Sequence, residues 1–429
     1  MNSFRIWDHV WREVRDYATA VSLFSHNARM YLFASALLST AVAVHTVLYN
    51  LYLLDLRYDE AMVGQVNALA ALGVAVGGLP AGMLYNGWRG RRCFLLATAG
   101  IGFSMALRSL VSSPWALLLG ALLNGLANAL FYVSIFPFIT EQSKPQERIH
   151  LFSMNSAVWM GFAIAGSFIA GYLPVLISLN NQSSGVLFSE RASLLLAAGL
   201  ALVALIPLAL VRSISLPSSN AALRVPSKPA THRWSAITSG GLIMFQLGLL
   251  IGLTNPFYNV YFSRVFQAGS ELIGSLFSLS QLVILAGSFL IPFLVRRWGL
   301  IQGPIGAALA AAPFTLAMGL AFPFLVVVLS FLISSGLLQF IGTPLQNLLM
   351  EVVEQNDRGL MSGVRLVTSY GAQALAGWLG GWLVIRAGYS VLFAVAAAVA
   401  LGMAVLVWLL YRGRERELET FAVLDKADV

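Results

Sequence analysis

Charge is scarce in this 429-residue chain. Asp, Glu, Lys and Arg together make up 10% of it, where a soluble domain carries about 25%. Hydrophobic residues make up 58%, and the mean hydropathy is +0.79, a balance that excludes a soluble globular protein. Cysteine is nearly absent: Cys93 stands by itself, which rules out an internal disulfide and any cysteine-based metal cluster. There is no His-Glu-x-x-His pair and no phosphate-binding Gly-rich loop with its Lys, and of five histidines only His45 lies well inside an apolar run. These absences argue against a membrane-embedded enzyme, a metal or another cofactor. Residues 1–24 also lack the apolar stretch of a signal peptide.

What the chain has in quantity is apolar runs of about 19–27 residues. At 1.5 Å per residue each crosses a hydrocarbon core of roughly 30 Å. Twelve transmembrane helices are predicted, at 31–54, 62–85, 93–111, 115–139, 150–175, 193–211, 236–262, 271–295, 300–320, 323–349, 361–385 and 388–411. They are helices because an isolated strand leaves its backbone groups unpaired in lipid. Ahead of them, Phe4, Trp7, Trp11, Val14, Ala18 and Val21 recur at three- and four-residue spacing opposite Arg5, Asp8, Arg12 and Arg15. That pattern predicts an amphipathic helix on the membrane surface.

The basic residues set the orientation. Twenty of the 26 Lys and Arg fall at the two ends and in the even-numbered loops, and only Arg57, Arg191, Arg264 and Arg386 fall on the other side. Both termini are therefore expected in the cytoplasm. The net charge of +8 is a topology signal and gives no reason to invoke nucleic acid.

The sequence also repeats itself at an offset of about 210 residues. Gly64, Leu69, Leu72 and Gly77 recur as Gly274, Leu279, Leu282 and Gly287, and Glu141 recurs as Glu351. Gly161 and Gly171 recur as Gly371 and Gly381, while Tyr49-Asn50-Leu51-Tyr52 matches Tyr258-Asn259-Val260-Tyr261 at 209. The Ser/Pro-rich, basic stretch from Arg212 to Arg233 joins the two copies. The expected organisation is an N-terminal segment 1–30, a six-helix bundle 31–212, a linker 213–234, a second bundle 235–412 and a tail 413–429. An even number of spans per copy makes the copies parallel.

Twelve spans as six plus six, a cytoplasmic linker and a basic turn between spans two and three resemble the major facilitator superfamily. The turn reads Gly82-Met-Leu-Tyr-Asn86-Gly87-Trp-Arg89-Gly90-Arg91-Arg92. It keeps the opening Gly and closing Gly-Arg-Arg of that family's Gly-x-x-x-Asp-Arg-x-Gly-Arg-Arg/Lys motif. Asn86 and Gly87 replace the Asp-Arg, and one residue is added. The resemblance implies that spans one, four, seven and ten line a central cavity. It also implies that spans two with eleven, and five with eight, form the seam between the halves.

Polar residues within the spans point to the same helices, because burial is costly without a partner, water or a ligand. Span one offers His45 and Thr46, and span seven offers Thr254 and Asn255 at the equivalent position, followed by Pro256, where the helix is expected to bend. Span four carries Asn124, Asn128 and Tyr132 on one face; span ten carries Gln339, Thr343 and Asn347 at the same spacing. Gln281 and Gln373 are weaker candidates. None of the eighteen Asp and Glu is central to a span. Glu141 and Glu351, with Arg89, Arg91, Arg92, Arg296, Arg297 and Arg365, are expected to latch the cytoplasmic side, as the resemblance implies. Arg108 is expected to snorkel to the outer surface. The reading is a monomeric secondary transporter of a small solute in a bacterial inner or plasma membrane, with His45 as a candidate proton site. The alternative is a non-transporting sensor or scaffold of the same fold.

Overall fold

The computed structural model describes residues 24–88, 90–143, 145–180, 185–211, 230–353 and 357–412. The amphipathic segment, the tail and most of the linker lie outside them. The described residues form helices and no strands: α1 (His26–Asp55), α2 (Glu60–Gly87), α3 (Gly90–Leu110), α4 (Pro114–Gln142), α5 (Pro145–Asn180), α6 (Val186–Val203), α7 (Leu205–Leu210), α8 (Ala230–Thr254), α9 (Tyr258–Phe266), α10 (Ser270–Met318), α11 (Phe324–Val352) and α12 (Arg358–Tyr411). Counting α6 with α7 and α8 with α9, ten are long and apolar enough to cross a membrane. Large apolar side chains such as Phe103, Phe289 and Trp115 are exposed on the outside, as lipid-facing surface requires.

Local chemistry sets the ends. The Ser25 hydroxyl accepts from the Ala28 N–H and the Asp59 carboxylate from the Met62 N–H, each capping the helix that follows. α10 and α12 each contain one glycine in the left-handed region, Gly299 (φ 78°) and Gly388 (φ 80°), where the helix direction breaks. α8 ends at Thr254 and α9 begins at Tyr258, so the chain does break around Pro256, as its sequence predicts. The carbonyl freed at Pro256 accepts from the Asn50 amide at 2.9 Å.

Packing follows the repeat. In the first copy α1 lies on α5 and α6, and α4 on α2 and α3; in the second, α8 lies on α12 and α10 on α11. Tyr52 on α1 donates to the Ser109 carbonyl of α3, and 209 residues later Tyr261 on α9 donates to the Met318 carbonyl of α10. Between copies, α2 runs along α12 and α5 along α10. The backbones approach closely at five glycines, Gly64, Gly171, Gly274, Gly377 and Gly381. A methyl on Gly381 would lie 2.5 Å from the Glu60 carbonyl oxygen, and one on Gly64 would meet the Gly377 carbonyl. One on Gly274 would lie 2.5 Å from the Gly171 Cα. Small residues let membrane helices approach this far.

Candidate functional site

A cavity of about 240 Å³ lies between the two copies. α1 contributes His45, Thr46, Tyr49 and Asn50; α2 contributes Asn67; α3 contributes Arg108; α4 contributes Asn124. The broken α8–α9 segment supplies Asn255 and Pro256, and α12 supplies Gln373. His45 stacks on Tyr49 with ring centroids 4.6 Å apart, and its Nε2 has no hydrogen-bond partner. The Arg108 guanidinium carbon stands 4.5 Å from the Tyr49 ring centroid. Contrary to the snorkelling expectation, Arg108 is buried, at 4% exposure.

One end of this cavity is closed by amides. Asn50 Nδ2 donates to the Pro256 carbonyl and, at 3.3 Å, to Asn259 Oδ1; Asn259 Nδ2 donates to the Val47 carbonyl at 2.9 Å. Asn67 Nδ2 adds a bond to Asn50 Oδ1 at 3.1 Å. Further along the same end, Arg264 pairs with Glu60 at 3.2 Å, and Tyr389 donates to that carboxylate.

Toward the other end the space widens into a second chamber of about 650 Å³, and Ile251 and Gln373 line both. Gly78 and Gly82 of α2 and Gly359 and Gly363 of α12 line it, and Tyr132, Gln346, Arg365 and Tyr370 face it. Arg365 donates to Gln346 Oε1, and the rings of Tyr132 and Tyr370 stack across the copies at 6.1 Å.

The expected site residues divide. His45, Thr46, Asn124 and Asn255 line the central cavity, and Tyr132 and Arg365 the second chamber. Asn128 donates to Asn124, one turn beyond the lining. Thr254 is buried, its hydroxyl bonded to the Leu250 carbonyl. Gln339 donates to Thr343, and with Asn347 and Gln281 these lie outside both linings, where α11 presents Gln346 instead. Of the latch set, Glu141 accepts from Tyr85 at 2.8 Å, Arg91 donates to the Ala209 carbonyl and Arg296 to the Pro292 carbonyl. Among the described residues, neither Glu141 nor Glu351 forms an ion pair with Arg91, Arg92, Arg296 or Arg297; Arg89 lies outside the described residues. Tyr49, Asn50, Asn67, Arg108, Gln346 and Tyr370 are among the lining residues that sequence reasoning missed. Asn50 was visible in the Tyr-Asn-x-Tyr repeat but marked only the register.

The model of the Major Facilitator Superfamily matches residues 31–376 and 240–427. The chain belongs to that superfamily. Solved members share its fold. The nucleoside transporter NupG superposes with a TM-score of 0.71 at 14% identity, covering 90% of this chain and 100% of its own. A D-xylose–proton symporter gives 0.69 at 16%, covering 91% and 97%. A bacterial homologue of the iron transporter ferroportin, in an inward-facing state, gives 0.67 at 16%, covering 90% and 98%. No curated protein matches the chain in sequence. Membership of this superfamily makes it a membrane protein of the transporter fold, and at these identities the structural likenesses speak for the fold alone.

Proposed function

We propose that the chain is a monomeric secondary transporter that moves a small solute across the cytoplasmic membrane by alternating access of two six-helix halves, 31–212 and 235–412. The observation that carries this reading is the polar cavity between the copies, shut at one end and continuous with a wider chamber at the other. Transport fits this arrangement better than catalysis, because no nucleophile–base pair or metal cluster faces the cavity among the described residues.

A straight helix of 49 residues, the length of α10, would run roughly 70 Å, over twice the hydrocarbon core. Taking Gly299 and Gly388 as turns yields twelve spans and returns both termini to one side. Arg386 over Trp382 and Arg412 over Trp408 then stand near opposite faces, where aromatic and basic anchors belong. With both termini cytoplasmic, the closed end faces outward and the structure is inward-open. His45, Thr46, Asn255 and Tyr132 would contact the solute. Glu141 and Glu351 would pair with the neighbouring arginines in the outward-open state.

Flux by purified protein in proteoliposomes tests the reading. Candidate solutes come from a thermal-unfolding screen, since a ligand that binds the folded state raises its stability. Uptake above that of empty liposomes supports transport. Ligands that stabilise the protein yet never cross would favour the sensor or scaffold reading instead.

A further inference from the structure

We infer that the central cavity binds a small organic monoanion, whose carboxylate is held by Arg108; the inference deepens the transport reading and rests on it. Arg108 is a buried cation with no acidic counter-ion among the described residues: it is 4% exposed, its Nε has no hydrogen-bond partner, and no Asp or Glu forms an ion pair with it. An arginine does not escape this cost by losing its proton. A buried unpaired charge is strongly unfavourable and in a membrane protein marks a ligand or ion pathway.

The fold holds the side chain in place rather than letting it snorkel. Gly120 on α4 leaves room for the stem: a methyl there would lie 2.6 Å from Arg108 Cγ. The Tyr49 ring offsets part of the charge through its face, which leaves N–H groups of the planar fork for a carboxylate, the group that fork matches best. The scaffold does not require this cation. In the second copy, at the same 209-residue offset, His45 corresponds to Thr254 and Arg108 to Ala317.

The neighbouring groups define the rest of the ligand. The amides of Asn50, Asn67 and Asn124 are engaged with protein partners. His45 Nε2 is buried beside the cavity without a hydrogen-bond partner, and Asn255 lies exposed in the lining. A carboxylate with a hydroxyl, amide or similar polar body suits that set. Among the described residues neither chamber is lined by Asp or Glu, and the second guanidinium, Arg365, faces the second chamber. Such a one-signed path draws anions inward. A single inner cation balances one negative charge, and a dianion would leave a second one buried. A volume of about 240 Å³ lies below the roughly 300–1,000 Å³ of pockets for drug-sized ligands, so the ligand is compact.

The test uses the full-length purified protein, with thermal unfolding in lactate and gluconate against lactamide and gluconamide at matched ionic strength, and in inorganic phosphate. A carboxylate should raise the midpoint and its amide should not. Arg108→Gln should abolish that response and Arg108→Lys should weaken it. Gly120→Ala, which displaces the stem, should lower the apparent affinity about tenfold. Equal shifts from acid and amide, a shift from phosphate alone, or no carboxylate shift at all would overturn the inference. The wild-type comparison decides even where Arg108→Gln does not fold, and a full carboxylate response in a folded Arg108→Gln variant would also overturn it. Flux separates the two readings. Arg108-dependent carboxylate binding without passage into liposomes sinks transport and leaves the site; passage of a neutral solute with no carboxylate binding does the reverse.

Discussion

Asn50 and Asn259 stand 209 residues apart in sequence and meet side chain to side chain, Nδ2 to Oδ1 at 3.3 Å. Each also donates across to the other copy, Asn50 to the Pro256 carbonyl and Asn259 to the Val47 carbonyl. Equivalent residues of two parallel repeats can touch only near the axis that relates them. A pair there closes one end of the cavity with reciprocal bonds.

Breaking this pair should loosen the closed end. In a Cys93→Ala background with a reporter cysteine at Ala70, which lines the cavity, an impermeant thiol reagent outside the cell should label the wild type slowly. Asn50→Ala and Asn259→Ala each leave a buried partner unsatisfied, at about 1–3 kcal/mol, and should raise labelling roughly tenfold. Their combination should fall short of additive. Unchanged labelling in both single variants would show that the amides do not hold the closure.

The glycine contacts predict a contrast between positions. Gly64→Ala and Gly274→Ala place a methyl against backbone of the other copy, and overpacking of this kind costs about 1–3 kcal/mol. Both should lower the unfolding midpoint in the closed-end state and increase outside access at Ala70. Gly371→Ala, with nothing within 4 Å of the added carbon, should change neither. Equal behaviour of all three would refute a seam at Gly64 and Gly274.

The repeat made much of this legible. Gly64 with Gly274 and Gly171 with Gly381 carry the offset, and both pairs are found at the contacts between copies. The bend at Pro256 was equally readable, because proline removes a helical bond wherever it falls. Side-chain direction was not. Gln339 and Thr343 share the spacing of Asn124 and Asn128 and likewise bond to each other, yet Asn124 lines the cavity and neither of them lines a chamber; periodicity gives a face and not its neighbour. Arg108 lies two residues before the end of its helix, where snorkelling is the usual outcome. Only the tertiary pairing of α3 with Gly120 of α4 turns it inward.

Glu141 and Glu351 should matter in the opposite state. Glu141 now accepts from Tyr85, and a pair formed with nearby arginines would be worth about 0–1 kcal/mol. Glu141→Gln and Glu351→Gln should each shift the population several-fold toward inward-open, read as access of a cytoplasmic thiol reagent to a cysteine at Gly363. No change in either variant or in the double removes the latch from the proposal.

His45 is expected to serve as a solute contact. His45→Gln should weaken binding about tenfold, the loss of one hydrogen bond to a charged group, while accumulation driven by an imposed pH gradient persists in proteoliposomes. Loss of that accumulation with downhill flux retained would make His45 the proton site instead.

The buried Arg108 guanidinium has an electrical consequence. In the proposed cycle a carboxylate on Arg108 would leave the loaded carrier neutral at its centre; empty, it would carry one positive charge facing alternate sides. A membrane potential of 100 mV, negative inside, acts on such a charge with up to about 2.3 kcal/mol, the value for passage through the whole field. It would hold the empty carrier facing the cytoplasm and leave the loaded one indifferent. Valinomycin-clamped potassium gradients would then slow the return step selectively, so that voltage, acting on a fixed side chain of the empty carrier, sets the turnover.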